Sequence, residues 1–375
     1  MSVRSVQHDN VREYNRLAVL DNLRKRGVAS RAELSRATEL SIPTVTTIGQ
    51  EFVSLGLVHE GDFGPSGGGR PARLLKLIPS TRNVLAIDLS GPKLSAARVD
   101  LAGELHPLAP GPSLAPGLEK PLLEWLAAEL AAAEAAATPI SALALAVPGV
   151  VDFASSKVRL APSLAWHDAD VGKLLRESSG LPVLLENDVN ALALGETTAG
   201  VGKGHLNVVF LAIASGIGAG LIVDGKLFRG AHHAAGEVGY TLLPGLPEAG
   251  LDLGASGPLE RHLLDIAEGC VSGGQLTLDN TEAEAAFDEL VAGVRLLLHN
   301  VTCVVDPELI VVAWTADPEG LLAKRIGQRW TGTVPVDVRA GSLGASAALH
   351  GVGRLALSQL LERICGLERT ERSFA

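Results

Sequence analysis

Between Asn10 and Arg26 the apolar residues Val11, Tyr14, Leu17, Ala18, Val19, Leu20 and Leu23 recur largely at helical spacing, and Gly27 follows as a stop, which predicts a first helix. Ser30 with Glu33 three residues on is a capping-box pattern for a short second helix. A third opens at Ser41, with Pro43 in its first turn and Val45, Ile48, Phe52, Val53 and Leu55 on its apolar face. Three short helices in about fifty residues are the core of a helix-turn-helix. The next stretch, GLVHEGDFGPSGGGRPARLLKLIP, alternates into two short strands around a glycine-rich tip, as the wing of a winged helix does.

Beyond residue 80 the pattern changes to strand and helix in alternation. NVLAIDLSGPKLSAARVDLAGEL reads strand, tight turn, strand, turn, and about 120 residues later LNVVFLAIASGIGAGLIVDGKLFRG repeats that grammar. The chain therefore holds an internal duplication. In the first copy KPLLEWLAAELAAAEAAA is an amphipathic helix and SALALAVPGVVD a buried strand ending in a Pro-Gly turn; in the second, EAEAAFDELVAGVRLLLHNVTCVVD is the helix and ELIVVAWT the strand. Two related α/β halves imply a cleft between them, the default place for a ligand.

Charge divides the chain the same way. Residues 1–80 hold 11 Lys+Arg against 8 Asp+Glu, or +3, and subtraction from totals of 32 and 42 leaves 21 against 34, or −13, for the rest. A polyanion partner is expected for the front segment alone. Thr44, Thr46, Thr47 and Gln50 would face the major groove, with Arg70 and Arg73 reaching the DNA backbone or minor groove. The alternatives are a helical protein-interaction module and, for SGGGRPARLLKL, a plain hinge; the order of helices, caps and wing favours DNA. The three cysteines, Cys270, Cys303 and Cys365, lie far apart and read as buried thiols. The polar N-terminus and the lack of a run of eighteen apolar residues set the cytoplasm as the expected compartment.

The ordered strings GGRPA, VPGVVD, ENDVNALALGE, SGIGAGLIVDGKLFRG, GEVGY, DPELIVV and GSLGASAALHG resemble the ROK family (repressors, open reading frames and kinases for sugars), from about Asn10 to about Leu357. With the winged helix in front, the chain is similar to the family's xylose- and N-acetylglucosamine-responsive repressor branch. That resemblance implies an α/β chain with a duplicated actin-like ATPase (ribonuclease H-like) fold behind a winged helix-turn-helix domain. The divisions it suggests are residues 1–80 for the DNA reader, 81–200 for the first lobe and 201–375 for the second, with the C-terminal helix packing back on the first.

The resemblance places Asp188 at the family's catalytic base, Asn187 beside it as a sugar-hydroxyl partner, and Glu237 and Glu260 at the two sugar-binding carboxylates, with Gly149 shaping the floor. A solvated or salt-bridged loop is the alternative for the glutamates. The nucleotide elements depart from the family. In the first hairpin Asp88, Gly91 and Lys93 remain, but Ser90 and Pro92 replace a glycine and a threonine, and proline has no N–H to offer a phosphate. The second hairpin keeps Gly216, Gly218 and Gly220, with Ser215 for threonine and Ala214 for glycine. Ala313 and Trp314 replace the glycine pair at the adenine side, where the indole is expected to fill or reshape the pocket. The family's zinc ligands are also replaced: Tyr240 stands at the histidine and Leu251, Leu253 and Pro258 at the cysteines, while Gly254, Gly257 and Glu260 remain. His232, His233 and His262 form no recognised metal spacing, and Ser163 stands where an asparagine is common.

The expectation is therefore a homodimeric regulator that binds a double-stranded operator and a sugar or sugar derivative, with no zinc, ATP or Mg²⁺ and no kinase turnover. The rivals are a DNA-binding sugar kinase still active on its altered loops, and a regulator that takes no effector.

Overall fold

The computed structural model describes residues 8–63, 73–242, 256–331 and 334–367. At the front, α1 (His8–Arg26), β1 (Val28–Ser30), α2 (Arg31–Thr38) and α3 (Ile42–Ser54) precede β2 (Val58–Phe63) and β3 (Arg73–Leu77). The strands form an antiparallel sheet in the order β1-β3-β2. The local signals act as expected: the Ser30 hydroxyl accepts from the Glu33 N–H while the Glu33 carboxylate accepts from the Ser30 N–H, and Ser41 caps α3 with Pro43 in its first turn. Val45, Ile48 and Phe52 of α3 are buried against Val19, Leu20, Leu23 and Leu34. Val11, Tyr14, Val53 and Leu55, expected on apolar faces, are exposed instead. Val53 follows Phe52 by one residue, a turn of about 100° off the buried stripe, and Leu55 lies beyond the last helical residue. The wing tip, with Arg70, lies outside the described residues.

The first lobe runs β4 (Asn83–Asp88), β5 (Ser95–Asp100), β6 (Leu105–Pro107), α4 (Glu119–Ala135) and β7 (Ile140–Val147). Then come β8 (Val150–Asp152), β9 (Lys157–Ala161), β10 (Trp166–Ala169), α5 (Val171–Ser179), β11 (Val183–Asn187) and α6 (Asp188–Thr198). The second lobe contains β12 (Val208–Ile213), β13 (Ile217–Val223), β14 (Lys226–Leu227), α7 (Pro258–Glu268), β15 (Val271–Ser272), β16 (Gln275–Leu276) and α8 (Thr281–Val305). It continues through β17 (Leu309–Trp314), α9 (Leu321–Gln328) and β18 (Asp337–Ala340), and the chain closes on α10 (Ala347–Ile364).

The two principal sheets have the same plan. One is ordered β11-β7-β4-β5-β6 and the other β18-β17-β12-β13-β14. In both, a central strand pairs antiparallel with the strand after it and parallel with the one that returns from the crossover helix. The duplication read in the sequence is thus a duplication of topology. None of the described helices is long and apolar enough to cross a membrane.

α10 does not stay with the second sheet. Its buried residues Ala348, Val352, Ala356 and Leu357 share one core with β4, β5 and β7 and with the residues beneath α1. It crosses α6 at the distance of bare backbone: a Cβ on Gly195 would lie 2.0 Å from the Ala347 carbonyl oxygen, and one on Gly351 would lie 1.9 Å from that of Ala191. At its far end the Ile364 carbonyl accepts from Arg16 Nη2 of α1 at 3.0 Å. A second tie joins α1 to the β5–β6 turn, where Arg24 Nη1 donates to the Ala102 carbonyl at 3.1 Å.

Candidate functional site between the lobes

Parallel strands β4, β7 and β11 end side by side, and ligands of such sheets gather beyond their carboxyl ends. Asp88 and Glu186 both pair with Ala146, on its two flanks, in one row across this edge. Two residues on, Asp188 is the first residue of α6, and Asn187 is its cap: the Asn187 side-chain oxygen accepts from the Asn190 N–H at 2.9 Å. The Asn187 amide donates to the Gly149 carbonyl at 2.8 Å and to Asp188 Oδ1 at 3.1 Å, so one side chain ties the Pro-Gly turn to the carboxylate. Gly149 has φ +126°, and a Cβ there would meet the Leu160 carbonyl oxygen at 2.1 Å, so only glycine lets the turn press on β9.

The other two carboxylates come from the second lobe. Glu237 precedes a turn of 3₁₀ helix, Val238–Tyr240, and Glu260 sits in the first turn of α7, where Oε2 accepts from the Ile217 N–H at 3.2 Å. Their loops touch backbone to backbone, since a Cβ on Gly257 would lie 2.1 Å from the Gly239 carbonyl oxygen. Without that glycine the two glutamates would stand further apart.

The charges feel one another. Burial first, then Asp88 and more weakly Glu237, push the Asp188 carboxyl up to about 7. Burial also raises Asp88, against hydrogen bonds from Ser90 and Ser95, and burial followed by Glu260 raises Glu237. Sequence reasoning placed Asp88 with the phosphate loops; the structure brings it within electrostatic reach of Asp188. Four acidic side chains therefore form a chain of electrostatic neighbours, acceptors for hydroxyl groups and a poor setting for an anion.

The first element matched to the nucleotide is folded onto a neighbouring carboxylate. The Ser90 N–H and hydroxyl both donate to Asp88 Oδ1, at 2.9 and 2.7 Å, which closes the first hairpin on its own carboxylate. Gly91 and Lys93 are exposed on that turn, and the Pro92 carbonyl accepts from the Leu114 N–H at 3.1 Å. Ser215 and Gly216 form the β12–β13 turn, with Gly216 beside Glu260. Gly218 and Gly220 lie within β13 under α6, where a Cβ would meet Val189 at 3.0 Å and Ala193 at 2.5 Å, so helix packing accounts for both. Trp314 corrects the expectation. Its indole is not in a nucleotide pocket; it is 7% exposed and stacks on Phe287 in the second lobe's core, with ring centroids 6.4 Å apart. Alternation along β17 explains this, because Ile310, Val312 and Trp314 share the α8 face while Val311 and Ala313 face the other way.

Zinc does not fit the residues present. Tyr240, half-buried in the 3₁₀ turn, is not among the usual zinc ligands, and Pro258, buried at the first position of α7, has no side-chain donor. Leu251, Leu253 and Gly254 lie outside the described residues. Among the described residues no three His, Cys, Asp or Glu side chains cluster as a metal site. His232 and His262 are exposed, and His233 faces Asp152. Ser163 is exposed on a short 3₁₀ turn. Cys270 and Cys365 are buried as expected, whereas Cys303 is exposed on α8.

Two carboxylates escaped the sequence reading. Glu186, 2% exposed, accepts from Asn187 N–H and Asn190 Nδ2, both at 3.1 Å, and forms an ion pair with Arg229 of the second lobe. Glu196 accepts from the N–H groups of Val201, Ser342 and Leu343 at 2.7–3.0 Å, tying α6 to the loop before α10. Both stand in ENDVNALALGE; for Glu186, at the end of β11, a charge closing an apolar strand was the available signal, whereas Glu196 lies within α6.

On the front helices, Thr47 and Gln50 are exposed while Thr44 and Thr46 are half-buried. Thr46 Oγ1 donates to the Ile42 carbonyl at 2.8 Å and Thr47 Oγ1 to that of Pro43 at 3.1 Å. Arg73 is exposed where β3 begins. Exposed Ile42, at the helix start, is a surface residue the sequence reading did not name.

Comparison with known proteins matches residues 84–357 to the ROK family. A xylose repressor of Caldicellulosiruptor bescii is 32% identical over 241 residues, 63% of this chain and 60% of that protein. A glucokinase of Streptomyces coelicolor is 32% identical over 156 residues, 42% of this chain and 48% of that protein. The crystal structure of a ROK family transcriptional regulator, a homolog of the Escherichia coli MLC protein, superposes with a TM-score of 0.76 at 22% identity and covers 95% of this chain and 98% of that one. The chain spans about 60% of the length of the curated repressor it matches.

Proposed function

The chain belongs to the ROK family, and we propose that it is a sugar-responsive transcriptional regulator whose cleft binds a carbohydrate without phosphorylating it. In this reading residues 1–80 read DNA, residues 81–200 and 201–375 form the cleft, and α10 belongs functionally to the first lobe. Thr47, Gln50 and Arg73, together with Thr44, Thr46 and Arg70, meet an operator. Asn187, Asp188, Glu237, Glu260 and Gly149 hold the sugar, as acceptors and one amide donor around a polyhydroxylated ring.

One observation carries the proposal: Asp188 is the first residue of α6, α6 is pinned glycine to backbone on α10, and α10 is hydrogen-bonded to α1 of the reader. A sugar drawing Asp188 toward Glu237 and Glu260 pulls on the helix that seats the reader. In a dimer on a palindromic operator, half-sites a fixed number of helical turns apart tolerate little rotation of the readers, so a small shift changes DNA affinity. Loss of the nucleotide function is supported by the turn closed on Asp88 and by Pro92, which offers no N–H.

The test is DNA binding with and without sugar. Asp188→Ala and Glu237→Ala are expected to keep operator affinity and lose the sugar response; an undiminished response in both rejects this site. A second reading, a sugar kinase with a DNA reader, draws on Asp188 alone, since a carboxyl at about 7 suits a general base. Phosphorylation of hexoses by the parent protein but not by Asp188→Asn at millimolar ATP would establish it.

A further inference from the structure

A cavity of about 380 Å³ remains beside the residues assigned to the sugar. Its first wall is the β8–β9 hairpin, which starts at Val150 immediately after Gly149 and supplies Asp152 and Arg159. Its second is the segment Ala231–His233, which leads into the Glu237 loop from the other lobe. Both walls thus belong to segments that lead along the chain into the sugar-assigned residues, Gly149 on one lobe and Glu237 on the other.

Several features set it apart from a passive surface hollow. Asp152 Oδ2 accepts from Arg159 Nη2 at 3.1 Å, and Asp152 Oδ1 lies 3.8 Å from His233 Nε2 across the lobes. Burial opposes the charge on Asp152, but hydrogen bonds from Ser155, with His233 and Arg159 beside it, hold its carboxyl below the usual range. The other ring nitrogen, His233 Nδ1, is buried without a hydrogen-bond partner, which leaves Nε2 as the ring atom directed at Asp152. His233 also holds φ +57°, a left-handed conformation that costs a non-glycine residue energy and that recurs where a ligand is clamped.

The lining combines one carboxylate, one guanidinium and two imidazoles with the small apolar side chains of Val150 and Ala231. A bare anion would face Asp152. A neutral ring with vicinal hydroxyls can donate to that carboxylate, accept from Arg159 and the imidazoles, and lay its C–H face on the apolar residues. We propose that this cavity is a second saccharide subsite, so that the ligand filling the whole cleft is a disaccharide or glycoside whose second ring lies between Asp152 and Arg159 on one lobe and His232 and His233 on the other. This inference rests on the sugar site read above.

Isothermal titration of the full chain separates the two. Probes are D-xylose against xylobiose, D-glucose against cellobiose and maltose, and glucose 6-phosphate. At least one disaccharide is expected to bind roughly three- to tenfold tighter than its own monosaccharide, the value of one or two added hydrogen bonds. Arg159→Ala and His232→Ala, both on accessible side chains, bring that disaccharide down to the monosaccharide and leave the monosaccharide unchanged; Asp188→Ala removes both. Monosaccharide binding that needs Asp188 with no disaccharide gain overturns the subsite and leaves the sugar site standing. Gain by glucose 6-phosphate alone, lost in Arg159→Ala, overturns it in favour of an anion site. No saccharide binding at all overturns both.

Discussion

Arg229 closes over Glu186 from the opposite lobe: its Nε donates to Glu186 Oε2 at 2.9 Å, Nη2 reaches the same oxygen, and the guanidinium carbon lies 4.0 Å from the centroid of the Phe153 ring. Glu186 is buried, and its other oxygen orients Asn187 and Asn190, so the pair both joins the lobes and holds the cap of α6. Removing one partner of such a pair leaves an uncompensated buried charge and costs about 3–5 kcal/mol. Arg229→Met is therefore expected to lower the urea midpoint strongly. Glu186→Gln with Arg229→Met should lose less than the two single losses added together, as a double-mutant cycle in urea will read.

Asp188 makes stability depend on pH with an unusual sign for a carboxylate. Its folded value of about 7 lies above the ordinary 3.8, so between those values the folded chain keeps a proton that the unfolded chain has released. Stability from this group is complete below the lower value, falls as pH rises through the interval, and is level above about 7. The slope is at most about 1.4 kcal/mol per pH unit. Asp88 and Glu237, raised by burial, act in the same direction. Asp188→Asn should come nearest the parent at the acid end of the interval, near the ordinary 3.8, and exceed it increasingly towards the folded value of about 7, measured by urea unfolding across that range.

Where α6 and α10 cross, the substitution Gly351→Ala places a methyl group 1.9 Å from the Ala191 carbonyl oxygen, a clash with backbone that no rotamer relieves. Overpacking of this kind costs about 1–3 kcal/mol or more. We expect a lower melting temperature together with a weaker effect of sugar on DNA binding, while operator affinity without sugar is kept. Gel-shift titrations at a temperature well below melting separate the two effects.

In the front helices, Ser30→Ala removes the hydroxyl half of the capping box on α2 and is expected to cost about 1 kcal/mol. Because the core beneath α1, α2 and α3 is continuous with that of the first lobe, the loss should shift the lobe's unfolding transition and create no separate early one. Circular dichroism at two wavelengths during thermal melting checks this.

The turns of the candidate site were legible where their signals are local, while the roles given to its residues come from the family resemblance. Asn187, Asp188 and Gly149 stand in strings whose strand-to-helix and Pro-Gly turns follow from neighbouring residues, and the structure joins them by an Asn187–Gly149 hydrogen bond. Glu186 was not legible as a partner of Arg229, because 43 residues separate them and nothing in either neighbourhood specifies the meeting. Trp314 was misread for a related reason: its chemistry is plain in the sequence, but the side of β17 it takes depends on which face α8 covers.

Composition, caps and periodicity by themselves determined three front helices, a wing and a twice-used α/β plan, since each rests on contacts within a turn or between adjacent strands. The family resemblance anticipated that the C-terminal helix packs back on the first lobe; only the tertiary structure decided that α10 crosses α6 through Gly351 and meets Arg16 of α1, 348 residues away from Ile364. Burial is a property of the assembled core: a helix presents an apolar stripe whatever its partner, and the partner is fixed by which surfaces fit once every element is in place.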